Sequence, residues 1–156
     1  MEPNKTAGTC NYYFFHYQIL TLLLYIFWIF LGSITIKCML TFLGHAGFMY
    51  ETESEILFMD PWMSKTGAFD SSWFQFPSNH LLGDKVREII AKTDKEIYVY
   101  ISHEHKDHFD VPYLKSLEIS KINFITPKFR RDHVASVLNE LNPKSVHTPV
   151  DTELVH

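Results

Sequence analysis

Ser102-His103-Glu104-His105-Lys106-Asp107-His108, directly behind the apolar run Ile97-Tyr98-Val99-Tyr100-Ile101, is the stretch on which the reading of this chain turns. A short run of Ile, Val and Tyr reads as a buried strand, and the polar residues after it as the loop at its C-terminal end. Imidazole and carboxylate are suitable ligands for zinc and similar divalent ions. Residues two apart on an extended chain share a face, so His103 and His105 can aim at one point. A turn then redirects Asp107 and His108 to a second point a few ångströms away. Two cations at such a separation can share a hydroxide and lower its pKa toward neutrality. The competing readings are a solvated polar turn and a single structural metal. The density of ligand-type side chains beside a buried strand speaks against the first. The lack of nearby cysteines speaks against the second.

Working outward, Ile34–Leu43 is rich in Ile, Thr and Phe and reads as a strand, followed by the turn Gly44-His45-Ala46-Gly47. Phe48–Glu51 and Ile56–Asp60 read as two short strands, the second ended by Pro61, which cannot donate to a ladder. Trp62–Leu82 is irregular and aromatic; a loop of that length in a compact domain is usually functional or packs on its own aromatics. Asp84–Ala91 reads as an amphipathic helix with Val86, Ile89 and Ile90 inward. Val111–Leu117, with Pro112 in its first turn, reads as another. Ile122–Ile125 is a strand. Thr126-Pro127 then opens a helix predicted to run to about Leu141, where Asn142-Pro143 stops it. A further strand starts at Val146, and Thr152–His156 looks like one more strand cut short. Strands alternating with helices after residue 84 point to α/β layering.

The bulk properties fit one globular domain. The chain has 156 residues, 46% hydrophobic and 21% charged, which excludes a largely disordered polymer. Its net charge of −4 argues against nucleic-acid binding, which needs a basic face. Two cysteines, Cys10 and Cys38, make no disulfide framework.

Residues 1–33 form an apolar leader. No charged side chain lies between Lys5 and Lys37, and Ile19–Leu31 is apolar throughout apart from Thr21 and Tyr25. Roughly 20 such residues can span a bilayer as a helix, and the aromatics of Tyr12–Tyr17 crowd one end as an interfacial belt would. A transmembrane or signal-anchor helix over 12–31 is one expectation. It makes the chain membrane-associated, with the flanking charge too balanced to orient it. A second is that translation starts at Met39, which leaves a cytoplasmic protein. A buried core helix is the third. A cleavable signal peptide fits poorly, since the basic n-region is a single lysine and no small-residue cleavage site follows.

The run His103-x-His105-x-Asp107-His108 behind a strand resembles the signature of the metallo-β-lactamase superfamily. Thr41-Phe-Leu-Gly-His-Ala-Gly-Phe48 and Asp60-Pro-Trp62 look like the branch of ascorbate-phosphate lactonases and of the metal-fold part of CMP-N-acetylneuraminate hydroxylases. The stretch from Asp60 to Trp73 adds to the latter likeness. The resemblance covers about Ile34 to the end, and the leader has no counterpart in it. It implies an α/β (α+β) fold, the N-terminal half of a four-layer αβ/βα sandwich over residues 34–156, preceded by an apolar helix. It also implies that His103 and His105 bind a first metal and that Asp107 and His108 bind a second, Asp107 also serving as the catalytic group in proton transfer. Asp60 would be a carboxylate that orients a ligand histidine, and His45 would lie near the site mouth. The cofactor would be a divalent metal, zinc by default and manganese or iron as alternatives for an all-N/O set, two ions in a complete site. The reaction would be hydrolysis of an ester, lactone or phosphoester of a small molecule by a metal-bound hydroxide.

The second half of that sandwich supplies further ligands in the family. After the cluster this sequence offers only His133, His147, Asp151 and His156 as candidates. His133 falls in the middle of the predicted helix and reads as a surface residue. His147 and His156 lie too near the cluster for the family's spacing. The chain therefore reads as an N-terminal part of such a hydrolase. The alternative is a non-catalytic, membrane-tethered remnant, or half of a split protein, that binds a complementing chain through its uncovered sheet. A third reading, an oxygen- or nucleotide-sugar-related role as in the hydroxylase branch, would need a Rieske iron–sulfur partner. Trp62, Trp73, Phe74 and Phe76 are expected to pack rather than to face a substrate, His80 to lie in the irregular loop, and Cys38 to be a small buried hydrophobe. Arg130-Arg131 could meet a phosphate, although a solvated helix face is the simpler expectation.

Overall fold

Alternating burial along Gly47–Glu51, Glu55–Met59 and Glu96–Tyr100 fixes which face of the sheet is buried. The computed structural model describes residues 38–149. The strands are β1 (Met39–Gly44), β2 (Gly47–Glu51), β3 (Glu55–Met59), β4 (Glu96–Tyr100), β5 (Ile122–Ile125) and β6 (Ser145–His147), paired in that order in one mixed sheet. β1, β2 and β3 are antiparallel neighbours, while β3 through β6 run parallel. Parallel neighbours need crossovers. α1 (His80–Lys92) links β3 to β4, the single turn α2 (Val111–Leu114) lies between β4 and β5, and α3 (His133–Glu140) precedes β6.

The register puts Met49, Phe58, Val99 and Phe124 in one row. Ile56, Ile97 and Ile122 form the next row on the same face. These side chains join Val86 and Ile90 of α1, Tyr113 and Leu114 of α2, and Val134 and Leu138 of α3 in a single core. Phe58 is wholly buried at its centre. Phe58→Ala is expected to lower the unfolding free energy by ~3–5 kcal/mol, the cost of the lost transfer energy plus a cavity. Urea denaturation of the full chain checks it, and a loss below ~1 kcal/mol would contradict this packing.

On the opposite face Phe42, Phe48, Met59, Tyr100 and Ile125 share a row, and no helix among the described residues covers it. Phe42 there is 59% exposed. One sheet with helices on one face is the αβ half of the four-layer sandwich.

Several boundaries differ from the sequence reading. The first strand is described from Met39, and the segment before Cys38 lies outside the described residues, as do the apolar leader and Thr152–His156. Among the described residues no helix is long and apolar enough to cross a membrane. Asp60 ends outside β3 with φ +42°, so the strand stops one residue early. α1 starts at His80, not Asp84; the turn includes Gly83, which is packed where an added Cβ would meet Met63 and Tyr113 at 3.1 Å. The helix predicted from Thr126 is confined to His133–Glu140. Thr126 precedes a proline, which disfavours the helical region, and its N–H instead donates to the His147 carbonyl at 3.0 Å, prolonging the β5–β6 pairing. His133 is thus the first residue of α3 rather than its middle. Cys38 is exposed rather than buried. Trp62 is buried as expected, but Trp73, Phe74 and Phe76 are 55%, 64% and 100% exposed. Their segment is held by polar anchors, with Trp73 edge-on to Phe69 at 5.6 Å.

Candidate metal centre

The topology brings three loops to one end of the sheet. β3 and β4 are parallel, so Asp60 and Ser102 follow their strands at the same edge, the end where open α/β sheets place ligands. β1 runs antiparallel to β2, which runs antiparallel to β3, so the β1–β2 turn carrying His45 reaches that edge too.

The turn is built for it. Gly44 has φ +113°, and a Cβ there would lie 2.2 Å from Gln75 Oε1. Gln75 donates to the Trp62 carbonyl at 2.6 Å. Asn79 donates to the carbonyls of Leu43 and Trp62 at 2.8 and 3.0 Å. The irregular 62–82 segment therefore ties the β1–β2 turn to the loop behind Asp60. The His45 ring stands edge-on to Trp62 at 5.4 Å and to His108 at 5.2 Å.

Beyond Ser102 the chain turns sharply. The N–H groups of His108 and Phe109 both donate to the His105 carbonyl, at 2.9 and 2.7 Å. The rings of His103 and His105 lie 4.5 Å apart, and those of His103 and His108 only 4.1 Å apart. The three histidine rings thus lie close together. Donor atoms of His45, Asp107 and His108 lie within 4.8 Å of one another, the one such group among the described residues that could hold a metal ion. His45 Nε2 lies 2.9 Å from Asp107 Oδ2, and His108 Nε2 lies 3.7 Å from the same oxygen.

Asp60 is buried and makes contacts with both carboxylate oxygens. Oδ1 accepts from the Ser102 N–H at 2.7 Å, and Oδ2 accepts from the Ser102 hydroxyl at 2.6 Å. His108 Nδ1 lies 2.8 Å from Oδ2. A carboxylate at that distance fixes the proton on Nδ1 and leaves the Nε2 lone pair for a metal. The same logic runs one step further along the chain. The Ser102 hydroxyl spends its proton on Asp60, so its oxygen accepts from His103 Nδ1 at 2.9 Å, and His103 Nε2 is left as acceptor. Ser102 escaped the sequence reading. Its only signal was a hydroxyl residue between the buried strand and the histidine run.

The donor set fits a divalent cation. Asp107 is 6% exposed, and its Oδ1 is buried with no hydrogen-bond partner. A buried, unpaired carboxylate oxygen is costly unless a cation answers it. Partial burial, with smaller contributions from the neighbouring His108 and His105, holds the His103 imidazole below its ordinary pKa. That keeps it in the neutral form a metal needs.

Asp110, two residues after His108, also went unread. Its Oδ2 accepts from the N–H groups of Met63 and Ser64 at 2.9 and 2.7 Å, and its Oδ1 caps α2 through the Tyr113 N–H at 3.1 Å. It clamps the end of the histidine loop to the segment that follows Asp60.

A six-stranded mixed sheet with a His/Asp cluster at the ends of its parallel strands is the architecture of a metallo-hydrolase-type fold. The chain belongs to the β-lactamase superfamily: residues 39–155 match the family model described as a beta-lactamase superfamily domain. A protein of Mycobacterium tuberculosis strain H37Rv, named as a Rieske 2Fe-2S iron-sulfur protein, is 34% identical over 112 residues, which are 72% of this chain and 20% of that protein. Its counterpart in strain CDC 1551 gives the same values. A Mycolicibacterium smegmatis protein with the same type of name is 40% identical over 75 residues, 48% of this chain and 13% of its own. The chain spans about a fifth of the length of the two M. tuberculosis relatives.

Proposed function

We propose that this domain holds divalent metal at the cluster formed by His103, His105, Asp107, His108 and His45, and serves hydrolysis of an ester, lactone or phosphoester bond in a small molecule. The carrying observation is Asp107, a buried carboxylate whose Oδ2 lies 2.9 Å from His45 Nε2 and 3.7 Å from His108 Nε2 while its Oδ1 has no hydrogen-bond partner. Zinc is the first choice for such nitrogen and oxygen donors, with manganese or iron as alternatives. Bound divalent metal supplies a lowered water pKa and polarisation of the scissile group. The chain's own residues do the rest. Asp60 and Ser102 hold the Nδ1 protons of His108 and His103, so that both Nε2 atoms face the site. Asp107, whose Oδ2 sits beside His45 and His108, is the group we assign to take or return a proton. Trp62 backs the His45 ring.

A second reading has one specific support, the names of the mycobacterial relatives. It makes the domain a partner of a Rieske centre in an oxidative reaction. Such a centre needs two cysteines and two histidines. Cys38 belongs to no metal-binding group among the described residues, so the cluster would have to be supplied from elsewhere.

The test is elemental analysis of the purified full chain together with a panel of chromogenic esters, lactones and phosphoesters. Bound metal with turnover that a chelator removes is the expected result. A chain that takes up no divalent metal from micromolar solution would sink both readings. Bound metal without hydrolysis, but with reductant-dependent dioxygen consumption when a Rieske protein is added, would favour the second.

A further inference from the structure

We infer that Arg130 and Arg131 form an anion-binding subsite for the substrate, receiving a charged, oxygen-rich group such as a phosphate or carboxylate while the reacting bond lies over the histidines. This rests on the metal reading above for the position of the reacting bond. A cavity of about 580 Å³ is lined by residues that include His103, Glu104, His105, Arg130, Arg131 and His133, so the two arginines and two of the cluster histidines border one space. A cavity of that size accommodates a small organic molecule.

Its charge balance selects an anion. Two permanent positive charges face one carboxylate, Glu104. Among the described residues neither arginine has an acidic partner within ion-pair distance, and the same holds for Lys65, Lys85, Lys115 and Lys128, so what sets the arginines apart is the shared cavity. The arginines therefore keep their donors free for a ligand, and the guanidinium fork matches the oxygens of carboxylate or phosphate. The start of α3 adds to this. His133 and Val134 of its first turn line the same cavity, and the Asp132 side chain makes no capping hydrogen bond there. The N–H groups of that turn carry partial positive charge.

The placement has a cause in the chain. Had the helix begun at Thr126, as the Thr-Pro signal suggests, Arg130 and Arg131 would sit on its surface. Because Thr126 stays paired to His147, the chain from Pro127 to Asp132 remains irregular and brings both arginines beside the histidine loop.

The experiment is calorimetric titration of the full chain, metal-free and zinc-loaded, with inorganic phosphate and, separately, with acetate. Arg130→Gln with Arg131→Gln is expected to weaken phosphate at least tenfold in both forms. The control Lys85→Gln, an exposed lysine of α1, is expected to change nothing. Each single arginine variant should lose part of the effect, and circular dichroism checks that the exposed substitutions leave the fold intact. The ratio of phosphate to acetate affinity identifies the preferred group. Equal affinity in wild type and double variant, an equal loss in Lys85→Gln, or no binding of either anion at millimolar concentration would overturn the subsite. Zinc content is measured on the same samples, so failure of the metal reading shows as absent zinc and is distinct from failure of the subsite, which shows as arginine-independent anion binding.

Discussion

Asp107→Asn is expected to lower zinc affinity at least 100-fold while leaving the metal-free chain as stable as wild type or more so. The two effects have opposite signs because of where Asp107 sits. It is buried, Oδ2 meets His45, and Oδ1 meets nothing. Without metal that carboxylate is a desolvated charge with half its acceptors unused, a destabilising feature of the kind retained at functional sites. The amide removes the charge and with it the donor at the centre of the cluster. Thermal unfolding with and without zinc reads both effects. Wild type at a hundredfold excess of zinc over Kd should gain ~2.7 kcal/mol, and the variant should gain almost none. A variant that keeps the zinc-dependent gain would show that Asp107 is only structural. The paired change His103→Ala with His105→Ala asks a different question. It leaves His45, Asp107 and His108 in place, so it should remove part of the metal and reveal whether the compact histidine group holds one ion or two. Zinc uptake should also fall in acid, as protons compete for the imidazoles. For the metal-free chain, the lowered folded-state pKa of His103 means that the unfolded chain binds its proton first as pH drops. Stability is then greatest above the ordinary imidazole range and declines as pH falls through it.

The closeness of the histidine rings was legible because it is local. Four ligand-type side chains and the strand that presents them lie within twelve consecutive residues, so spacing alone brings His103 beside His105 and turns Asp107 inward. The sheet was legible for the same reason, since the period-2 burial of Ile97, Val99 and Ile101 is written in order. What the sequence hid is non-local or looks ordinary. Ser102 drew no role and Asp110 no reading, and nothing short of the fold shows that one bridges Asp60 to His103 and the other holds Met63 and Ser64 across more than forty residues. The helix boundary near Thr126 failed because a tertiary hydrogen bond to β6 outcompeted a good local start signal. The aromatics of the 62–82 segment misled in another way. Packing was expected, but Gln75 and Asn79 carry the anchoring, leaving Trp73, Phe74 and Phe76 in solvent. The positive φ of Asp60, an uncommon backbone state for a non-glycine residue, is likewise invisible in the residues and marks where the strand bends to aim the carboxylate.

Asp110→Ala is expected to be among the most destabilising single changes at this end of the molecule, at ~3–5 kcal/mol, from two buried N–H groups losing a charged acceptor and a helix losing its cap. Asp110 is 3% exposed, and Met63, whose N–H it accepts, is equally buried, so water cannot replace the lost carboxylate without opening the loop. Against a typical total stability of ~5–15 kcal/mol such a loss is severe. Asp110→Asn should recover much of it, since the amide oxygen can still accept from one partner group while the charge is lost. The consequence should reach the metal centre without any contact to it. Met63 and Ser64 lie three and four residues after Asp60, and the histidine loop ends at Asp110, so the clamp helps set the distance between the Asp60 carboxylate and His108 Nδ1. Under conditions where Asp110→Asn remains folded, zinc affinity should fall by about tenfold, the scale seen when an orienting partner behind a metal ligand is disturbed. Chemical denaturation of both variants, with zinc competition against a chromophoric chelator, separates the two roles. Unchanged zinc affinity in a destabilised Asp110→Asn chain would confine Asp110 to capping α2 and holding the loop, with no share in aiming the site.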